Sequence, residues 1–193
     1  MTAAYQLRVS LKDAYPSIWR CLLVPAELTL HQLHQVIQIA MGWGNSHLHL
    51  FEIGGKFYSS TPVALAADVP PNRDEHSIKL RQVLIFEHQR ARYTYDFGDD
   101  WEHELLVERL FEERPELPMP ICLNGERACP PEDCGGIWGY AMVCEALAHP
   151  ADPDLSEFAD WVEPDFSPDV FDLTYVNRQL ERVFQSEESQ RHQ

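Results

Sequence analysis

Apolar residues recur along this chain with two periods, and the first half follows the shorter one. Tyr5, Leu7, Val9 and Leu11 alternate with Gln6, Arg8, Ser10 and Lys12, the pattern of a strand with one face buried. Ala14-Tyr15-Pro16-Ser17 supplies a turn, and Ile18–Val24 is apolar on both faces, so the two runs predict an antiparallel hairpin. Pro25 ends the second strand. Thr29 with Gln32 three residues on forms a capping box, and Leu30, Leu33, Val36, Ile37, Ala40 and Met41 make one helical stripe that stops at Gly42. On this helix His31, Gln32, His34, Gln35 and Gln38 are expected largely on the wet side.

Period two returns at His47–Ile53 and Lys56–Ser59 around Gly54-Gly55, and again at Arg90–Asp96 and Trp101–Glu108 around Phe97-Gly98-Asp99-Asp100. Residues 60–77 read as an irregular excursion, Ile78–Leu84 as a short helix and 115–131, rich in proline, as a loop. Helical segments are expected near 138–148, 155–162 and 173–185, the last with Asp172 as its N-cap. Strands in hairpins followed by helices predict an α+β fold: an antiparallel sheet of hairpins with helices packed on it. The expected organisation is a single domain over 1–185 with a polar tail, 186–193, that frays.

Charge narrows the picture. The net charge of -16 is uneven: residues 1–95 hold nine Lys/Arg against seven Asp/Glu, whereas 96–172 hold three against twenty-one. Such a field repels phosphate and there is no compensating basic stripe, so direct nucleic-acid binding is not expected. The acidic span is either a solvated surface or one that meets a cation or a basic protein partner. The N-terminus lacks a secretory pattern and no apolar run has the length of a membrane span, so no membrane association is expected. An odd count of five cysteines argues for a reducing, cytoplasmic setting.

Candidate chemistry concentrates in three places. Alternation puts His47 and His49 on one strand face, a geometry suited to a metal and equally to two satisfied histidines. His103 shares an apolar face with Trp101 and Leu105 and must find a partner there. Asp96, Asp99 and Asp100 crowd a turn, where they can hold a hard cation, raise one another's pKa, or cap backbone amides. Cys122, Cys129 and Cys134 are spaced unlike a zinc ribbon, yet two cysteines with two of the three histidines would complete a tetrahedral zinc site. The expected site gathers His47, His49 and His103, with Asp96, Asp99 or Asp100 at the rim. No nucleophile elbow, phosphate-binding loop, dinucleotide fingerprint or zinc-protease motif occurs, and Asp96-Phe97-Gly98 stands without the other kinase motifs.

The order of these motifs resembles the plasmid pRiA4b Orf-3-like family. The resemblance runs over about residues 5–184: Trp19-Arg20, Met41-Gly42-Trp43, His47-Leu48-His49 with Phe51, Tyr95 to Trp101 with His103, Cys129-Pro130-Pro131-Glu132-Asp133 with Gly135-Gly136 and Gly139-Tyr140, Phe171-Asp172 and Val176-Asn177. Cys134 departs from that pattern, where an aliphatic residue is expected, so Cys122 and Cys129 are the stronger thiol ligands. The resemblance implies an α+β domain of prokaryotic cytosol, often encoded on plasmids or other mobile elements, and no established reaction. The recombinase label that some relatives carry needs a Ser or Tyr nucleophile among several arginines, which this chain does not offer. Two functions follow: a binding or adaptor module with an acidic surface, or a metal-assisted enzyme using a His/Asp site.

One expectation is testable on the protein alone. In a mobility-shift titration at physiological salt it should leave duplex DNA unshifted; tight, salt-sensitive binding would contradict the charge argument.

Overall fold

The computed structural model describes residues 2–63, 71–113, 115–117 and 119–191, with side chains described up to 184. It is an α+β fold with one eight-stranded, mostly antiparallel sheet. The strands are β1 (Ala4–Leu11), β2 (Trp19–Pro25), β3 (His49–Ile53), β4 (Lys56–Ser59), β5 (Arg73–Asp74), β6 (Arg90–Tyr95), β7 (Trp101–Phe111) and β8 (Ile121–Glu126). The helices are α1 (Leu30–Met41), α2 (Gly136–Ala148), α3 (Ser156–Ala159) and α4 (Leu173–Arg191). The sheet order is β5-β4-β3-β6-β7-β1-β2-β8. All pairings are antiparallel except β4 with β5.

Alternation sets the two faces of the sheet. Tyr5, Leu7, Val9, Phe51, Tyr93, Tyr95, Trp101 and Leu105 point inward and join the stripe of α1 in the core. The other face is polar: Arg92 reaches Glu52 and Glu102, each at 3.4 Å, Lys12 pairs with Glu102 at 2.7 Å, and Arg90 pairs with Glu104. These cross-strand ion pairs are solvated and contribute little each, but they keep this face wet.

Helix α1 opens on the expected capping box, with Gln32 N donating to Thr29 Oγ1 and Thr29 N donating to Gln32 Oε1, and ends at Gly42 in the left-handed conformation. Its polar side is not wet throughout: His34 and Gln38 are buried. The periodicity places them beside the stripe, and the sheet that covers it is wide enough to cover them as well. The N-terminus of α1 is tied to residues 75–80, since Leu30 N donates to Ile78 O and Leu80 N to Leu28 O. At its other end the buried Arg20 donates to Ala40 O (2.8 Å), Trp19 O (2.8 Å) and Glu126 O (2.9 Å), with its guanidinium 3.9 Å from the Phe171 ring. A charge with three backbone acceptors and an aromatic face needs no carboxylate.

Several elements differ from the sequence reading. Within 60–77, strand β5 and a 3-10 turn, Glu75–Ser77, lie among the described residues, while 64–70 lie outside them. The short helix of 78–84 is a 3-10 turn at Leu80–Gln82. The proline-rich loop contains β8, a strand flanked by too many prolines to show its period. The strand expected from His47 starts at His49. Helix α4 begins where expected, with Tyr175 N donating to Asp172 Oδ1 at 2.8 Å, but continues to Arg191 through residues read as a tail.

The segment 133–139 is pressed against the β6–β7 turn. Gly136 has φ +68°, and a Cβ there would lie 2.4 Å from Asp99 O. Gly136→Ala should therefore destabilise the fold by about 2 kcal/mol in urea unfolding, combining backbone strain with overpacking. Gly54→Asn, at φ +57° with nothing within 4 Å of the added Cβ, should be near neutral.

Candidate functional site

Strand β6 carries the two phenols around which the polar groups of the core are arranged. Tyr93 and Tyr95 are fully buried and two residues apart, so both hydroxyls sit under α1 and the loop that follows it. A buried hydroxyl left unpaired costs on the order of 1–3 kcal/mol, and each has found partners.

Around Tyr93 the bonds have one consistent direction. Gln38 Nε2 donates to the Tyr93 hydroxyl (3.0 Å), that hydroxyl donates to His34 Nδ1 (2.8 Å), and His34 Nε2 donates to Asn45 Oδ1 (2.8 Å). Asn45 N closes the ring on Gln38 Oε1 at 3.0 Å. This requires a neutral His34, and burial, aided by neighbouring His49, lowers its pKa to about 3. The His49 ring stacks on His34 with centroids 3.5 Å apart and planes 6° apart, and its Nε2 reaches Glu75 Oε2 at 2.8 Å. The Glu75 carboxylate has no exposed surface.

Around Tyr95 the partners are different. Its hydroxyl accepts from Ser46 N (2.9 Å) and His47 N (3.3 Å) and donates to Glu132 Oε1. Burial first, then the Glu132 carboxylate, raises this phenol well above its ordinary value. These bonds fix the chain at 46–47 against the segment 130–133, which Trp43 also holds by donating from Nε1 to Pro130 O at 3.1 Å. His47 Nε2 then lies 3.1 Å from Asp133 Oδ1 and 3.7 Å from Asp96 Oδ2. The first contact is misaligned for a hydrogen bond and the second too long, so this buried ring nitrogen lies by two carboxylates without a bond to either. One donor atom each from His47, Asp96 and Asp133 lies within 4.8 Å of the others. An ion with ligand bonds of about 2.0–2.2 Å fits such a span after small side-chain adjustment. Asp96 is buried, in the left-handed region at φ 56°, and Asp133 is exposed, so the cluster opens to solvent on one side.

The other candidates are placed as follows. Asp99 accepts from Gly135 N at 3.2 Å and so holds the glycine turn rather than joining the cluster. Asp100 ends the turn at φ 55°. His103 is buried, with Nδ1 3.3 Å from Tyr93 O, its ring edge-on to Trp43 and Nε2 unpaired. Burial lowers its pKa to about 4. The three histidines thus surround the Tyr93–Tyr95 pair without sharing donors: His47 turns to the aspartates, His49 to Glu75, and His103 to a carbonyl. Among the described residues neither group of converging ligand atoms includes His49, His103, Cys122 or Cys129. Cys122 Sγ donates to Asn124 O at 3.3 Å, and burial raises its pKa to about 11. Cys129 is pushed up further by burial, despite nearby Arg20.

Sequence reasoning missed Asp133, although the adjacent Glu132-Asp133 pair before two glycines was visible. It also missed Glu75, His31 and His76, whose meeting depends on an excursion with no periodicity to read.

The fold is an α+β domain that carries a His/Asp cluster, exposed on the Asp133 side, assembled from its most distinctive motifs. A family model described as plasmid pRiA4b ORF-3-like protein matches residues 3–175. The chain is 35% identical over 184 residues to the uncharacterized protein y4hQ of Sinorhizobium fredii strain NGR234, covering 94% of this chain and 92% of that protein. It also resembles the crystal structure of a protein of unknown function, MM3350 from Methanosarcina mazei Go1, with TM-score 0.77 and 34% identity over 89% of this chain and 95% of that one. The chain belongs to the plasmid pRiA4b ORF-3-like family. Among the described residues no helix is long and apolar enough to cross a membrane.

The buried histidines set an acid limit on stability. His34 and His103 stay neutral in the fold to about pH 3 and 4, whereas in the unfolded chain they gain a proton near the ordinary histidine pKa of 6.5. Below pH 6.5 the unfolded state therefore binds more protons, and stability is lost as pH falls towards 4. Each histidine should contribute up to about 1.4 kcal/mol per pH unit to that slope. Urea unfolding at pH 7, 6, 5 and 4 should show the decline, and His103→Leu should flatten it.

Proposed function

We propose that this protein is a binding module whose site is a divalent-cation pocket formed by His47, Asp96 and Asp133. The observation that carries this reading is the buried His47 Nε2, unbonded yet 3.1 Å from an Asp133 oxygen and 3.7 Å from an Asp96 oxygen, the three residues coming from separate chain segments. One imidazole with two carboxylates suits a first-row divalent ion such as Mn²⁺ or Zn²⁺, and three protein ligands leave coordination positions for water or a ligand. The strong acidity of 96–172 adds a field that concentrates cations and favours a basic protein partner over nucleic acid. The module acts in the cytosol, a reading that its five unpaired cysteines support.

A second reading, a metal-assisted enzyme, is favoured by one feature. Glu132, held by the Tyr95 phenol, stands beside Asp133 as a carboxylate able to exchange protons next to a bound ion.

Calorimetric titration of tag-free, chelator-treated protein with Mn²⁺ and Zn²⁺ tests the pocket. His47→Ala and Asp96→Asn should each weaken binding there by at least about 10-fold while far-UV circular dichroism stays native. Unchanged binding in both variants would refute the proposal. Turnover of ester or phosphoester substrates by the loaded wild-type protein, lost in Glu132→Gln, would select the enzyme reading.

A further inference from the structure

A second group of imidazoles lies on the other side of the Tyr93–Tyr95 pair and has no part in the pocket just described. Its centre is Glu75, whose carboxylate is completely buried and whose ion-pair partners are histidines. His31 Nδ1 lies 3.0 Å from Oε1 and His49 Nε2 lies 2.8 Å from Oε2. A buried carboxylate is costly unless a cation or a full set of donors compensates it, and imidazoles supply a cation only when protonated.

Two features make this a ligand set rather than a structural ion pair. One ligand atom each from His31, Glu75 and His76 lies within 4.8 Å of the others, and the rings of His31 and His76, stacked with centroids 4.1 Å apart, would turn about their side-chain bonds to aim both nitrogens at one ion. The two rings are also partly open to solvent, His31 by 28% and His76 by 51% of the side chain, so an ion has a way in. Behind the ligands stands a supporting layer of the kind metal sites use. Asp74 Oδ1 holds His76 Nδ1 at 2.9 Å, which leaves Nε2 free to ligate, and His49, clamped by its stack on His34, fixes the Glu75 carboxylate. The backbone bonds between Leu30 and Ile78, and between Leu80 and Leu28, keep the two segments that carry the ligands in register.

The geometry points to a second metal site, formed by His31, Glu75 and His76, that takes an imidazole-preferring ion of the Zn²⁺, Ni²⁺ or Co²⁺ type. Two nitrogens and one buried oxygen distinguish it from the oxygen-rich His47 pocket. Binding replaces the contact between His31 Nδ1 and Glu75 Oε1, any proton between them passing to water, and a divalent charge then compensates the carboxylate. The site stands independently of the pocket at His47, since the two share no ligand.

The test uses full-length, tag-free, chelator-treated protein titrated with Zn²⁺ by calorimetry, and with Co²⁺ followed by its visible absorption. His76→Ala removes an exposed ligand and should leave the fold and the unfolding midpoint of the metal-free protein unchanged. It should weaken one class of Zn²⁺ sites by at least about 10-fold and abolish the matching Co²⁺ band. His31→Ala should do the same, whereas His47→Ala should leave that class intact. If His76→Ala and His31→Ala both bind Zn²⁺ and Co²⁺ as the wild type does, the site is refuted. Loss in His76→Ala with no effect of His47→Ala would uphold this site while removing the other.

Discussion

The structure depends on where strand β6 puts two phenols. Its period-two alternation turns Tyr93 and Tyr95 to the same side, under α1, where neither hydroxyl reaches bulk water. Each hydroxyl must be satisfied inside the protein, and the two solutions define the two polar regions of the core. Tyr93 recruits Gln38 and His34 from α1, and through the stacked His49 leads to Glu75. Tyr95 recruits the backbone of Ser46 and His47 and the carboxylate of Glu132, and so draws the loop after α1 to the segment before α2. Without that bond nothing in the sheet itself would bring His47 to Asp133, which is 86 residues away by numbering.

The two regions handle charge in opposite ways. The one near Tyr93 is closed around His34, which burial within a hydrogen-bond ring keeps neutral, and opens only beyond Glu75, at the partly exposed His31 and His76. The one near Tyr95 opens to water through the exposed Asp133 and keeps its carboxylates beside an imidazole with no hydrogen bond. Closed, satisfied networks rigidify a core, whereas an open cluster with an unsatisfied donor set is poised for a ligand. The cysteines belong to neither region. Burial raises the pKa of Cys21 and Cys134 to about 12 and of Cys122 to about 11, so these thiols act as small apolar side chains.

Much of this was legible before any coordinates, and the boundary is physical. Elements with a clear period were readable: β1, β6 and β7 by alternation, α1 by its stripe and its Thr29–Gln32 box. β8 was not, because a short strand among prolines has too few residues to show a period, and β5 has only two residues. At the site, His47 and Asp96 stood out in the sequence as candidates, but Asp133 did not, since tertiary folding alone brings it to them. His34 and Gln38 were expected in water because helical periodicity assigns a face without stating how wide the covering sheet is. The expected meeting of His47, His49 and His103 rested on alternation carried two residues too far: His47 precedes the strand, and its Nε2 lies by Asp96 and Asp133 while that of His49 lies by Glu75.

The central claim is that the Tyr95-centred convergence builds a cation pocket. Anomalous diffraction from crystals of the tag-free protein soaked in Mn²⁺ tests it most directly. The account expects a peak bonded to His47 Nε2 and to oxygens of Asp96 and Asp133, at about 2.0–2.2 Å, absent from His47→Ala crystals. A map with no peak at these three residues, at a Mn²⁺ concentration that labels other sites, would contradict it.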